Sequence, residues 1–145
     1  MYGERLMAVT KTFERTIPFK AVYRHGFLPL VRVKFLPPNV DPFTLSLVFD
    51  TGATQITLRR DYQEWFPQGI AVEANVAGSI EAGEGTETMS TVEVFGQTLQ
   101  NRKILFMDLG EPSPLFAGLF GRDCFKPFGF GFWESANEFY VTLKP

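Results

Sequence analysis

The chain has 145 residues, a formal net charge of -2, and 45% hydrophobic residues. This length and composition predict one globular domain over residues 1–145 and exclude a disordered chain. A single cysteine excludes an intramolecular disulfide, and together with a single histidine it excludes a Cys/His zinc site within one chain. The small net charge predicts no affinity for nucleic acid.

Neither end nor middle of the chain predicts a membrane segment. The most apolar stretch, residues 114–121, is far shorter than the roughly 20 residues that a spanning helix needs. The first residues lack the apolar core of a secretory signal. We therefore expect a cytoplasmic protein with no membrane contact, an expectation that an upstream anchor or signal would overturn.

Short extended segments alternate with turn signals in the first half of the chain. Residues 15–20 and 28–36 predict strands, and the second of these alternates apolar with basic side chains, which indicates one buried face. Residues 43–49 are apolar almost throughout and predict a strand covered on both faces. Residues 56–58 predict another strand, and residues 59–66 predict a two-turn helix that Pro67 ends.

The second half continues the same pattern. Residues 72–94 predict a long hairpin with small residues at its tip, and residues 95–97 predict a further turn. Residues 103–107 predict a strand, and residues 128–133 and 139–143 predict a closing hairpin. The sequence therefore predicts an all-β domain, a barrel or a sandwich, with one or two short helices.

The residues that carry chemistry are Asp50, Thr51, Gly52 and Ala53, directly after the apolar strand at 43–49. A carboxylate in that place loses water, which disfavours its charged form unless neighbours donate hydrogen bonds. Such a placement is costly for stability alone and therefore indicates a function. The alternative interpretation is an ordinary turn, because Asp and Gly are both common in turns.

A second apolar segment, residues 115–120, ends in Gly121, Arg122 and Asp123, followed by one predicted helical turn. Alone, it is typical of a core strand with a polar cap. Together with the Asp-Thr-Gly-Ala motif and the small-residue hairpin tip, in this order, it makes the sequence similar to the retropepsin-like aspartic proteases over residues 16–143. The resemblance implies a small closed barrel of short strands, half of a pepsin-type enzyme.

The resemblance also implies an activity, that of an aspartic endopeptidase acting on extended polypeptides without metal or cofactor. Peptide hydrolysis by carboxylates needs one group as base toward water and a second, protonated group to polarise the carbonyl. One chain carries one such motif, so the catalytic Asp50 would act together with Asp50 of an identical copy in a two-fold symmetric homodimer.

The neighbours of Asp50 receive roles from the same resemblance. Thr51 would hydrogen-bond across the dimer, Gly52 would let the two carboxylates approach, and Ala53 would pack below them. The flap, closing over a bound peptide, would comprise Gly78, Ser79, Ile80, Glu81, Ala82 and Gly83.

Structural support for the Asp50 motif would come from Gly121, Arg122 and Asp123. Retroviral members often carry an Asp directly after the Ala, which pairs with the Arg of the Gly-Arg element, but here that position is Thr54. Arg122 therefore needs another partner, and Asp123 is one candidate. The hairpin at 128–143 is longer than the terminal strand of the retroviral enzymes, and it predicts core packing or a larger dimer interface.

Acidic residues surround the predicted flap, with no Lys or Arg between residues 61 and 101. Glu81, Glu84 and Glu87 are typical of a solvated face. Alternatively, they select basic side chains in the substrate or hold two flaps apart by repulsion until the pH falls. Cys124 is predicted to be a small buried apolar residue, and His25 an exposed loop residue. Two other functions stay open, a catalytically silent peptide-binding or dimerisation module of the same fold and an unrelated monomeric β-barrel.

Overall fold

The computed structural model describes residues 16–20, 29–75, 82–109, 117–133 and 138–143. Within these ranges, no helix is long and apolar enough to cross a membrane. The strands are β1 (Thr16–Lys20), β2 (Leu30–Leu36), β3 (Phe43–Phe49), β4 (Ile56–Arg59), β5 (Ile70–Asn75), β6 (Ala82–Val94), β7 (Gln97–Met107), β8 (Gly118–Phe120), β9 (Phe128–Trp133) and β10 (Glu138–Leu143). Two 3-10 helices span Arg60–Trp65 and Arg122–Cys124.

Six of the strands close into a barrel in the order β2-β3-β8-β4-β7-β6, and β2 pairs again with β6. The pairs β3–β8 and β4–β7 are parallel, and the other neighbours in the ring are antiparallel. Strand β5 extends the sheet beyond β6, and β1, β10 and β9 form a separate antiparallel sheet. The prediction of an all-β closed barrel with few helical residues is confirmed.

Strand β2 has the alternation that its sequence predicts. Val31, Val33 and Phe35 are fully buried, whereas Arg32 and Lys34 are exposed. Fully burying an aliphatic or aromatic side chain of this size stabilises the fold by about 1.5–3 kcal/mol. The one-sided pattern therefore fixes which face of β2 lines the barrel core.

Strand β3 differs from its prediction in its first half. Leu47, Val48 and Phe49 are buried, but Phe43 and Leu45 are only partly covered. The buried part of β3 coincides with the three residues that pair with the short strand β8. The prediction of a strand covered on both faces holds where β3 approaches Asp50 and is wrong at its beginning.

The predicted two-turn helix is a 3-10 helix over Arg60–Trp65. The backbone N–H of Phe66 donates to the Gln63 carbonyl at 3.2 Å, three residues back, which is the 3-10 pattern. No side chain caps the start of the helix at Arg59, and Pro67 follows the end. So short a segment has too few residues to establish the α-helical pattern.

Strands β6 and β7 are joined by the predicted turn at Phe95 and Gly96, both with positive φ, at 50° and 75°. Two central residues with positive φ match the twist of antiparallel strands. Strand β7 begins directly after the turn, so it is longer than predicted.

The closing hairpin contributes to the core through β9. Phe128 is buried, and Phe130 packs against the core with its ring centroid 4.9 Å from that of Phe49. The core interpretation is therefore confirmed for these two aromatic residues. Cys124 is also buried, as predicted, whereas His25 and the hairpin turn at 134–137 lie outside the described residues.

Candidate active site

Asp50 directly follows β3 and lies at the end of the barrel core. Its backbone N–H donates to the Phe120 carbonyl at 3.1 Å, which extends the β3–β8 pairing by one residue. The side chain is half-buried. The carboxylate is therefore carried by two neighbouring core strands, so its position depends on rigid elements.

The loop at residues 50–55, called the Asp50 loop below, aims the carboxylate. The Gly52 backbone N–H donates to Asp50 Oδ1 at 2.8 Å, and the Ala53 N–H donates to the Asp50 carbonyl at 3.3 Å. Thr51 and Gly52 are exposed, whereas Ala53 is half-buried. One carboxylate oxygen is thus held by the loop itself, on a surface that is open in the single chain.

The second 3-10 helix, Arg122–Cys124, holds the other end of the Asp50 loop through backbone hydrogen bonds. The Arg122 N–H donates to the Ala53 carbonyl at 2.9 Å, and the Asp123 N–H donates to the Thr54 carbonyl at 2.8 Å. Gly121, which precedes the helix, is buried against the backbone of Gln55. The residues predicted to support the loop therefore lie against it, and they contact it through the main chain.

The side chain of Asp123 has a partner that the sequence did not predict. Its Oδ1 lies 3.7 Å from Arg102 Nη1, and the same nitrogen donates to the Asp123 carbonyl at 3.1 Å. Arg122 is exposed. Asp123, the candidate partner of Arg122, is thus paired with Arg102 of β7 instead. Arg102 lies 21 residues before Asp123 in the sequence.

Cys124 lies at the end of the same helix, inside the core. Burial raises the pKa of its thiol from the ordinary value of 9.0 to about 12. The value of about 12 includes a smaller contribution from the negative charge of Asp123, which also raises the pKa, and one from the positive charge of Arg102, which lowers it. The thiol is therefore protonated at neutral pH and is a packing residue, not a nucleophile.

We expect Cys124 to make the protein less stable in alkali. The unfolded thiol loses its proton near pH 9.0 and the folded thiol near pH 12. The free energy of unfolding should therefore decrease as the pH rises from 9.0 toward about 12. This decrease should be steeper than that of Cys124→Ala by up to about 1.4 kcal/mol per pH unit. Urea unfolding of both proteins from neutral pH to pH 11 measures this difference, and parallel curves would refute the assignment.

A cleft of about 540 Å³ lies between the Asp50 loop and the β5–β6 hairpin. Gly52 and Ala53 line it on one side, and apolar side chains of β5, β7 and β8 line the others. Glu87 of β6 also lines the cleft, and its Oε2 accepts a hydrogen bond from Gln55 Nε2 at 3.1 Å. This contact joins the loop to the hairpin across 32 residues, and no local sequence signal indicates it.

No family model and no curated protein matches the sequence. Solved structures do match. A retropepsin-like aspartic protease from Rickettsia conorii is similar at a TM-score of 0.62 and 17% identity, covering 89% of this chain and 92% of that chain. The EIAV protease complexed with the inhibitor HBY-793 is similar at a TM-score of 0.50 and 21% identity, covering 72% of this chain and 91% of that chain.

The chain has the retropepsin-like fold. In this retropepsin-like barrel, the predicted flap residues Gly78, Ser79, Ile80 and Glu81 lie outside the described residues. The other two predicted flap residues begin β6, where Ala82 pairs with Asn75 and Gly83 with Ala74.

The acidic strand β6 of this retropepsin-like fold has a cation beside it. Arg60 donates to the Glu84 carbonyl at 2.9 Å, so it contacts the main chain of the strand. The sequence has no Lys or Arg between residues 61 and 101, and on that basis the glutamates are expected to have no compensating cation. In space, however, the first 3-10 helix brings a guanidinium to the strand.

Proposed function

We propose that this chain is an aspartic endopeptidase whose active site forms between two identical copies, each contributing Asp50. The observation that carries the proposal is the position of Asp50 in a retropepsin-like fold, at the end of a buried strand and oriented by the Gly52 N–H at 2.8 Å. Gly52 and Ala53 of the same loop line the cleft, so a carboxylate on this loop is suited to activating water beside a polypeptide bound there.

The chemistry requires two carboxylates that share one proton. The ionised carboxylate takes a proton from water as the water oxygen attacks the carbonyl carbon of the peptide. The protonated carboxyl donates its proton to the carbonyl oxygen, which gives a neutral tetrahedral diol. In the breakdown of the diol, the carboxyl group that took the proton from water gives it to the leaving nitrogen as the C–N bond breaks. A hydroxyl of the diol loses its proton to the other carboxylate as the C=O bond forms again, so the two carboxyl groups end with one shared proton.

The dimer follows from the number of carboxylates. One chain contains a single Asp-Thr-Gly motif, and an isologous two-fold dimer places two copies of the same residue at its axis. Thr51 and Gly52 are exposed in the single chain, and Gly52 has no side chain to obstruct a second loop. These features support the proposed pairing of the two Asp50 loops.

The substrate in this proposal is an extended polypeptide. A peptide in extended conformation can lie along the β5–β6 hairpin as an added strand, with alternate side chains directed into the cleft. Residues 78–83 would form the flap that closes over it and excludes water.

The proposal is tested by incubating the full chain with an unstructured, sequence-diverse peptide library from about pH 3 to 8. We expect cleavage whose specific rate rises with protein concentration as dimers form, and which declines toward alkaline pH as the shared proton is lost. Sedimentation measures the oligomeric state in the same samples. A stable dimer that cuts nothing at any pH would contradict the proposal and favour a silent binding module.

A further inference from the structure

The cleft beside the Asp50 loop has both apolar and polar walls, and two acidic residues, Glu73 and Glu87, are among its lining residues. Val72, Ala74, Met107 and Leu119 are among its lining residues, and none of the described residues that line it is basic. An apolar cleft is suited to an aliphatic chain, whereas a carboxylate within it requires donors to offset its loss of water. The combination therefore favours a ligand side chain that is aliphatic along its length and carries a hydrogen-bond donor at its end.

The strand pairing places the Glu87 side chain on the cleft side of β6. Side chains alternate along a strand, so Gly83, Gly85 and Glu87 share one face. A Cβ at Gly85 would lie 2.9 Å from Leu105 Cδ1 of β7, and one at Gly83 would lie 3.0 Å from Met107 Cε. Glu87 therefore lies on the same face of the sheet as Leu105 and Met107 of β7, which also line the cleft.

The neighbouring glutamates differ from Glu87. Glu84 lies on the opposite face of β6 and is exposed, whereas Glu87 is half-buried. Glu73 borders the cleft from β5, but it pairs with Glu84 in the register and is exposed. Glu87 is therefore the acidic side chain with the strongest requirement for a partner inside the cleft.

The hydrogen bond from Gln55 fixes Glu87 without neutralising it. Gln55 Nε2 donates a neutral amide hydrogen to Oε2, and an ionised carboxylate accepts several hydrogen bonds. The negative charge therefore stays available to a ligand, and its position relative to the Asp50 loop is set by a residue of that loop.

We propose that Glu87 makes this cleft selective for a basic side chain, Lys or Arg, of the bound polypeptide. The aliphatic part of that side chain packs on the apolar walls, and its cationic end donates to Glu87. This inference rests on the proposed function in one respect, which is that the ligand is a polypeptide. It does not require that the polypeptide is cleaved. It assigns a substrate preference to the site and makes Glu87 a specificity-determining residue.

The test measures binding, so that it does not depend on turnover. The full chain carrying Asp50→Asn is titrated with extended peptides that are identical except for Lys or norleucine, its uncharged aliphatic analogue, at each position in turn. We expect one position at which the Lys peptide binds about tenfold more tightly, as a charge-assisted hydrogen bond gives. Glu87→Gln in the same background should remove this ratio.

Glu84→Gln is the matched control, because it removes the same charge from the opposite face of the same strand. The ratio should persist in this variant, whereas loss of the ratio in both variants would indicate general surface attraction and overturn the inference. Equal binding of the two peptides, or no binding of either, would also overturn it. A chain that selects Lys through Glu87 but cleaves nothing would refute the proposed activity alone.

Discussion

Replacing Asp50 with asparagine is expected to lower the rate of peptide cleavage by about 10⁴-fold or more. An amide can neither hold the shared proton as a carboxyl group does nor accept a proton from water. The asparagine side-chain oxygen still accepts the hydrogen bond from the Gly52 N–H. Asp50→Asn should therefore keep the fold and the dimer while losing turnover, which kcat, circular dichroism and sedimentation measure together.

The matched control for this prediction is Asp61→Asn, which removes an exposed carboxylate from the first 3-10 helix. Its cleavage rate should equal that of the wild type, because its charge is outside the Asp50 loop. If Asp50→Asn retained a rate close to that of Asp61→Asn, the catalytic carboxylate would have to be another residue.

Replacing Gly121 with alanine is expected to reduce the free energy of unfolding by about 3 kcal/mol. A Cβ at this position would collide with the backbone carbonyl oxygen of Gln55 and would lie 2.6 Å from the backbone nitrogen of Gln55. Both are backbone atoms, so relief requires the main chain of the Asp50 loop to move. Because that loop carries Asp50, we also expect slower cleavage at temperatures where the variant is folded.

Gly83→Ala is the control, since the atom that its Cβ would approach most closely is Met107 Cε at 3.0 Å. That methyl group is the end of a flexible side chain and can turn away. Urea unfolding should show Gly83→Ala within about 1 kcal/mol of the wild type. Equal loss of stability in the two variants would refute the assignment of a backbone collision at Gly121.

Local patterns predicted most of the strands, because a strand with one buried face must alternate its side chains. The alternation of Val31, Arg32, Val33 and Lys34 identifies the buried face of β2 without knowledge of its neighbours. Asp50 could be found in the same way, since an acidic residue after a buried strand is conspicuous in sequence. The orientation of its carboxylate depends on the turn that follows and was visible only in the structure.

Contacts between distant segments could not be predicted. The pairing of Asp123 with Arg102 and that of Gln55 with Glu87 depend on which strands become neighbours in the barrel. Sequence gives the periodicity of each strand but not the order β8-β4-β7-β6 that brings these residues together. For the same reason, the close approach of Gly121 to Gln55 has no signal in the local sequence.

The shared active site is tested most directly by mixing wild-type chains with Asp50→Asn chains and allowing subunits to exchange. A mixed dimer, in which one chain is wild type and the other carries Asp50→Asn, lacks the second carboxylate, so only wild-type pairs should cleave peptide. Activity should then follow the square of the wild-type fraction, falling to about a quarter in an equal mixture. Activity that falls in proportion to the wild-type fraction, to about a half, would show that each chain works alone and would contradict the account.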